Sequence, residues 1–405
     1  MHGFAQRSEV GVAQAWVDLA SARPLPAQPV AVEDSAGRVL AADLVATIDV
    51  PTFQRAAMDG FALRGAETDG AGEYNPIELT VQGQALPGRP YEGKGEVPAG
   101  TAVRIMTGAP LPDGLDAVIP AEYATEAGGR IAITRPVSPW QHVGRVGEDI
   151  QAGSTVLPAG RRLRPQDGGL AASLGFAQVS VVRRPRVRLL VTGNEVVAPG
   201  APKGPWEIYD ANSVLLRGLI ARDGAELESH QRIGDEAAAI GAAMSAPGAD
   251  VVLVSGGSSV GSEDHAPQLL GQLGDLAIHG VAMRPSSPAG MGRIGDTLVF
   301  LLPGNPVSCL CAYDFFAGRA IRRLAGRGPD WPYRQRRATV ARKIVSAVGR
   351  VDYVRVKLEG DAVEPLAISG ASVLSSTTRA DGFVVVPAES EGYGPGSEIT
   401  LHLYD

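Results

Sequence analysis

Ala249-Asp250-Val251-Val252-Leu253-Val254-Ser255-Gly256-Gly257-Ser258-Ser259-Val260-Gly261-Ser262-Glu263-Asp264 decides how the rest of the chain is read. A short apolar strand runs straight into a loop of glycine and serine that carries two carboxylates. Open α/β sheets present backbone N–H groups to anionic ligands in this way, at the carboxyl ends of their strands. Gly256 and Gly257 allow positive φ and let a ligand approach the backbone closely. Downstream, a second strand, Thr297–Leu302, ends in Pro303-Gly304-Asn305-Pro306-Val307-Ser308. Pro306 suits the first turn of a helix with Asn305 as its cap, so the amides of Val307 and Ser308 are expected to face outward at a positive helix end.

Around these edges, residues 186–327 alternate between strand and helix patterns. Strands are predicted at 187–191, 225–230, 251–254 and 297–302. Helices are predicted at 211–222 (capped by Asp210 or Asn212), 235–245, 264–273 and 306–325. Such alternation implies a parallel, doubly wound sheet. A third loop, Thr192-Gly193-Asn194-Glu195, leaves strand 187–191 at the same end, so the crevice rule predicts that all three loops converge on one ligand. Glu195 and Asp264 are hard oxygen donors suited to Mg²⁺ bridging a phosphate.

The chain has 405 residues, too many for one core and suited to about two to four domains. Its 51 glycines and 30 prolines imply many turns and short elements. A formal net charge of −7 and 5% aromatic residues exclude a nucleic-acid binder as a class. Cys309 and Cys311, two positions apart on a predicted helix, point in different directions; they read as small core residues in a reducing compartment rather than a redox or metal pair. No apolar run approaches the roughly 20 residues a membrane span needs, and the N-terminus lacks the apolar core of a signal peptide, so a cytoplasmic location is expected.

Outside the α/β segment, residues 8–22 and 165–174 read as helices, the second closed by Gly175, and 32–40 as a helical turn or two. Short strands dominate from about 65 to 146 and from 334 to the end.

The chain resembles the molybdopterin molybdenumtransferase family of bacterial MoeA and the gephyrin E domain, from about residue 8 onward. Six motifs in order carry the resemblance: Ala57-Met58-Asp59-Gly60-Phe61-Ala62, Arg104-Ile105-Met106-Thr107-Gly108-Ala109, Gly147-Glu148-Asp149-Ile150, Thr192-Gly193-Asn194-Glu195, Ser255-Gly256-Gly257 with Ser259-Val260-Gly261, and Leu302-Pro303-Gly304-Asn305-Pro306-Val307-Ser308. The resemblance implies a multidomain α/β and β protein with four domains. They are a discontinuous linker domain (1–50 and 147–183), a small β-rich domain (51–146), a doubly wound pterin-binding domain like that of MoaB and MogA (184–330), and a barrel-like C-terminal β domain (331–405). It further implies an elongated homodimer that takes adenylylated molybdopterin from a molybdopterin adenylyltransferase, and molybdate, and releases AMP in a Mg²⁺-dependent step. On the family pattern, Thr192, Gly193, Ser255, Gly256, Gly257, Gly304, Asn305, Pro306, Ser308, Arg350 and Arg355 would bind the cofactor precursor. Glu195 and Asp264 would hold the metal. Asp59, Thr107 and Asp149 would face the α/β loops across the dimer, with Asp235 and Arg284 completing the catalytic set; Asp235 also reads as a helix N-cap.

The chain departs from the family pattern where the molybdate dianion is expected. Gly280, Arg284 and Ser287 occupy positions that are basic in the family, so Arg284 alone keeps its charge. Asn194 replaces an aspartate, Ala371 a serine and His265 a tyrosine, while Arg293 and His279 are neighbouring bases within reach by sequence. Each lost charge-assisted contact costs on the order of 1.5–3 kcal/mol. A second reading follows: a paralogue that binds molybdopterin or its adenylate as carrier, chaperone or regulator, without efficient metal transfer.

Overall fold

A computed structural model describes residues 7–259, 261, 264–367 and 370–404. Val260, Ser262, Glu263 and Ser369 lie outside the described residues. The chain divides into two compact units, one of Met1–Val30, Ser35–Ala41 and Ser180–Asp405, the other of Ala31–Asp34 and Ala42–Val179.

In the first unit, the opening stretch is the centre of a six-stranded sheet. Its order is Glu226–Ile233, Arg186–Thr192, Val251–Ser255, Thr297–Leu302, Gly290–Ile294, Asp275–His279. Every residue of Val251–Ser255 is buried. The strand is apolar without alternation because both faces are covered, as parallel sheets require. Val251 and Leu253 join a core formed with helices Asn212–Arg222 and Pro306–Ala312. Val252 and Val254 join the opposite core, under Ala237–Ser245 and Ala266–Leu273.

The first four strands are parallel, but Gly290–Ile294 and Asp275–His279 pair antiparallel with their neighbours. The expected wholly parallel sheet is therefore a mixed one. The predicted helix over 306–325 is interrupted. It runs α-helical over Pro306–Ala312, widens to a π-turn over Tyr313–Ala317 and resumes over Gly318–Leu324. Val307 through Ala317 are all buried, and Val10–Ala20 packs against the later turns, Tyr313–Ala317 and Gly318–Leu324. The helical stretch expected over 32–40 is only a 3₁₀ turn, Val32–Asp34.

Five strands close a barrel at the C-terminal end of this unit, in the cyclic order Val351–Glu359, Ala362–Ala367, Gln335–Val340, Glu398–Leu403, Gly382–Val386. Aromatic packing locks the barrel to the α/β core. Phe315 meets Trp331 edge-on at 4.9 Å, and Tyr353 stacks on Phe383 at 4.2 Å. A two-residue strand, Met283–Arg284, leaves the α/β segment and pairs in parallel with the barrel, placing Arg284 opposite Asp352.

The second unit contains a six-stranded sheet, in the order Ala117–Pro120, Gly60–Leu63, Thr101–Ile105, Ile77–Ala85, Arg130–Ile133, Ala124–Ala127. It also holds the helix Pro165–Ser173, after which Gly175 takes φ 83° as expected for a residue that turns the chain out of a helix. Among the described residues of the whole chain, no helix is long and apolar enough to cross a membrane.

Candidate functional site

The three loops at the carboxyl ends of the parallel strands line a single cavity of about 880 Å³. Thr192, Gly193 and Glu195 form one wall; Ser255, Gly256, Gly257 and Asp264 a second; Gly304, Asn305 and Pro306 a third. The glycines are there for steric reasons. Gly256 sits at φ 104° and Gly257 at φ 55°. A Cβ on Gly256 would stand 2.5 Å from the Thr192 carbonyl oxygen and 2.8 Å from its hydroxyl. The backbone of one loop thus touches the next, and no side chain can come between them.

Asp235 also lines this cavity, but it is not a helix cap, because the helix begins at Ala237 with Glu236 in the cap position. Its Oδ2 accepts the Asn194 N–H at 3.1 Å, and its own N–H donates to Asn194 Oδ1 at 3.2 Å. The residue the family carries as aspartate therefore serves in this chain as one half of a reciprocal clamp between two loops. Asp264 Oδ2 accepts the Gly261 N–H at 2.7 Å. Among the described residues, no three His, Cys, Asp or Glu side chains gather into a metal cluster. Glu195 and Asp264 nonetheless share the cavity, and two carboxylates are a fitting donor set for Mg²⁺, which keeps water and takes substrate phosphate oxygens for the rest.

A second cavity of about 940 Å³ adjoins the first and shares Pro288, Pro303 and Asn305 with it. Arg284, Ser286, Ser287, Ser308, Arg350 and Ala371 line it. The Ser286 and Ser287 hydroxyls are buried with no hydrogen-bond partner among the described residues, and Ser286 holds φ 89°, unusual for a residue with a side chain. Orphaned buried hydroxyls are costly unless a ligand or water supplies the partner. Arg284 is not free to compensate fully for the basic residues missing at positions 280 and 287. It pairs with Asp352, whose side chain is fully buried. Arg350 Nε lies 3.1 Å from the other oxygen of the same carboxylate, close enough for an ion pair but without hydrogen-bond alignment.

Asn305 occupies the N-cap position of Pro306–Ala312, but its side chain makes no capping bond. One of the two amides expected to face outward is already taken: Val307 N–H donates to the Ala371 carbonyl at 2.9 Å. The backbone next to the substituted serine position thus covers part of the helix end.

Arg355 is fully buried in its barrel strand and is not among the residues lining either cavity. Arg293 is exposed and donates to the Gly295 carbonyl at 3.1 Å, away from both cavities. His279 does reach the opening loop, with Nε2 3.0 Å from the Ser258 carbonyl. In the second unit, Asp59 Oδ1 accepts both the N–H of Thr107, at 2.7 Å, and its hydroxyl, at 2.6 Å. Those bonds, the hydroxyl's first, hold the exposed Asp59 carboxyl below the usual range. Asp149 is exposed, its N–H donating to the Val50 carbonyl at 3.0 Å.

Sequence reasoning missed the residue that ties the first cavity together. Asn212 Nδ2 donates to Ser255 Oγ at 2.9 Å and to the Gly304 carbonyl at 2.8 Å. It spans the ends of two strands, while the capping it was expected to share falls to Asp210, which accepts the Ser213 N–H at 2.9 Å. Nothing in the sequence separates an asparagine that caps from one that bridges. Cys309, fully buried 3.6 Å from Ser255 Oγ, has its thiol pushed up to about 12 by burial, and Cys311 is likewise raised. Both behave as core residues.

Three family models cover the chain: the MoeA N-terminal region, domains I and II, over residues 10–175; the "Probable molybdopterin binding domain" over 188–323; and the MoeA C-terminal region, domain IV, over 337–404. A Mycobacterium tuberculosis protein named molybdopterin molybdenumtransferase 2 is 35% identical over 90% of this chain and 92% of its own length. The chain belongs to the MoeA family. A Haemophilus influenzae MoeA relative, named molybdopterin molybdenumtransferase, is 32% identical over 94% of this chain and 95% of its own. A crystal structure of the MoeA molybdopterin biosynthesis protein from a Pyrococcus species matches with a TM-score of 0.83 at 33% identity, covering 99% of this chain and 100% of that one. The multidomain MoeA fold expected from the motifs is the fold observed, including the closed five-stranded C-terminal barrel.

Proposed function

We propose that this protein inserts molybdate into adenylylated molybdopterin with release of AMP, acting as a cytoplasmic homodimer supplied by a molybdopterin adenylyltransferase. The observation that carries this reading is the pair of adjoining cavities. One is walled by glycine loops and carboxylates, the other by guanidinium groups and unpaired hydroxyls, and Pro288, Pro303 and Asn305 stand between them.

In the first cavity, the Gly256 N–H already donates to the Leu302 carbonyl at 3.0 Å, so Gly257 would bring its amide against the phosphorylated pterin while Gly256 keeps the approach free of a side chain, and Thr192, Ser255 and Asn305 would orient the pterin by hydrogen bonds. Glu195 and Asp264 would hold Mg²⁺, which supplies charge neutralisation at the phosphate when bound. In the second cavity, Arg284 and Arg350 would attract the molybdate dianion, with Ser286, Ser287 and Ser308 donating to its oxygens. Bound together, the two substrates would be held side by side, which converts an encounter of two molecules into a local event. Asp59, Thr107 and Asp149 would be supplied from the second copy in the homodimer.

The reading is tested by AMP release from adenylylated molybdopterin, measured with and without Mg²⁺ and molybdate. No release with all components present sinks it. One observation favours the carrier reading as the second choice: Arg284 and Arg350, two of the three arginines lining the anion cavity, already face a buried carboxylate. Tight pterin binding with no AMP formed is what that reading requires.

A further inference from the structure

We infer that Asp352 is an internal counter-anion that sets the oxyanion affinity of the second cavity. The inference rests on the proposed reading of that cavity as the oxyanion subsite, and adds to it the residue that governs the strength of binding.

Asp352 is fully buried, and the pairing of Met283–Arg284 with the barrel strand brings Arg284 directly opposite it. Arg284 engages one carboxylate oxygen, and Arg350 approaches the other at 3.1 Å. Ser346 Oγ donates to Oδ2 at 2.8 Å. Ser346 belongs to the loop that continues through Ala347, Val348 and Gly349, which line the cavity. Two arginines of the cavity, and the serine that precedes its Ala347–Arg350 wall, therefore converge on one acid. Two guanidinium groups against one carboxylate leave a single net positive charge, with Arg7 at the cavity edge a background common to every variant.

The satisfaction of the donors is incomplete. Among the described residues, Arg284 Nε and Arg350 Nε are buried without hydrogen-bond partners, and so are the Ser286 and Ser287 hydroxyls. A tetrahedral oxyanion offers acceptors to all four. To use the guanidinium groups fully it must compete with the Asp352 carboxylate, which cannot swing away because the residue sits buried in a barrel strand. A site that kept the family's basic residues at positions 280 and 287 would set more positive charge against this competition. With Gly280 and Ser287 in their place, the balance between Asp352 and the two arginines decides the affinity.

Isothermal titration of the full-length protein with molybdate alone tests this through a charge cycle. Asp352→Asn is expected to tighten binding about tenfold or more, since one unit of opposing charge within a few ångströms is removed. Arg284→Gln is expected to weaken it by about the same factor. The double variant restores the wild-type net charge and should return to within about threefold of wild type. If Asp352→Asn weakens binding, or if the double variant is weaker than Arg284→Gln alone, Asp352 acts by holding structure and the inference fails. Should Asp352→Asn not fold, Ser346→Ala keeps the test open. It removes one donor from the carboxylate, makes it a stronger competitor and should weaken molybdate binding a few fold; unchanged or tighter binding overturns the inference. Wild-type protein that binds no molybdate overturns this inference and the oxyanion reading together. Wild-type binding whose affinity ignores the charge cycle overturns this inference alone.

Discussion

Asn212→Ala offers the sharpest test of how the pterin cavity is held. The wild-type amide makes two bonds of ordinary length, 2.9 Å to Ser255 Oγ and 2.8 Å to the Gly304 carbonyl, from a residue that is 7% exposed. Each such bond contributes a net of roughly 0.5–1.5 kcal/mol, so losing both costs about 1–3 kcal/mol. Water from the adjoining cavity can reach the vacated acceptors, which favours the lower half of that range. The distinctive expectation is where the cost falls. Ser255 and Gly304 begin the two loops that would cradle the pterin, so their release should loosen molybdopterin binding by roughly tenfold, a 1.4 kcal/mol effect. Asn212→Asp should be worse than alanine, since a carboxylate would face the Gly304 carbonyl where a donor stood. Binding is read by titration with molybdopterin, and stability by the urea midpoint at constant m-value. A dissociation constant within twofold of wild type in Asn212→Ala, with stability unchanged, would refute the bridging role.

Other substitutions probe separate parts of the account. Gly256→Ala should cost at least 1–3 kcal/mol of local strain from its φ of 104°, with a further clash against Thr192, and should lower pterin affinity by tenfold or more; equal affinity by titration would show that the loops do not touch in the bound state. Glu195→Gln combined with Asp264→Asn should abolish the Mg²⁺ dependence of AMP release while pterin binding stays within a few fold, and retained dependence would assign the metal elsewhere. Ser287→Lys should tighten molybdate binding by about ten- to a hundredfold, whereas Gly280→Lys should not be expected to help, because Gly280 holds φ 87° and a side chain there is strained. Cys309 and Cys311 should resist a thiol reagent at pH 8 in the folded protein and react in denaturant, since burial raises both thiols; reaction in the native state would contradict their packing.

Much of this architecture was legible because its signals are local. An apolar strand buried on both faces, ending in Gly256-Gly257, announces a parallel sheet and a close-approach loop in one line of text, and the three strand-end loops do share a cavity. The mixed edge of the sheet was not legible. Gly290–Ile294 contains two glycines, which weaken a strand signal, and Asp275–His279 has only Leu276 and Ile278 as large apolar residues. The π-turn at Tyr313–Ala317 leaves no mark in an apolar sequence that reads as one helix. Asn212 and Asp352 were illegible for a different reason. The Asn212 partners lie 43 and 92 residues away, and Arg284 lies 68 from Asp352, so only the folded strand order brings these groups together. The substitutions at 280 and 287 were visible as lost charge, but their consequence depends on a buried acid whose position only the barrel pairing reveals.

Molybdenum bound per AMP released tests the central claim most directly. Purified protein would be given adenylylated molybdopterin, Mg²⁺ and a titration of molybdate, with AMP and pterin-bound molybdenum measured in a single turnover. The expected result is one molybdenum on the pterin for each AMP, with half-saturation at a higher molybdate concentration than in a relative that keeps basic residues at the positions of Gly280 and Ser287. Pterin that stays bound while neither product forms, even at millimolar molybdate, would contradict it and leave the carrier reading standing.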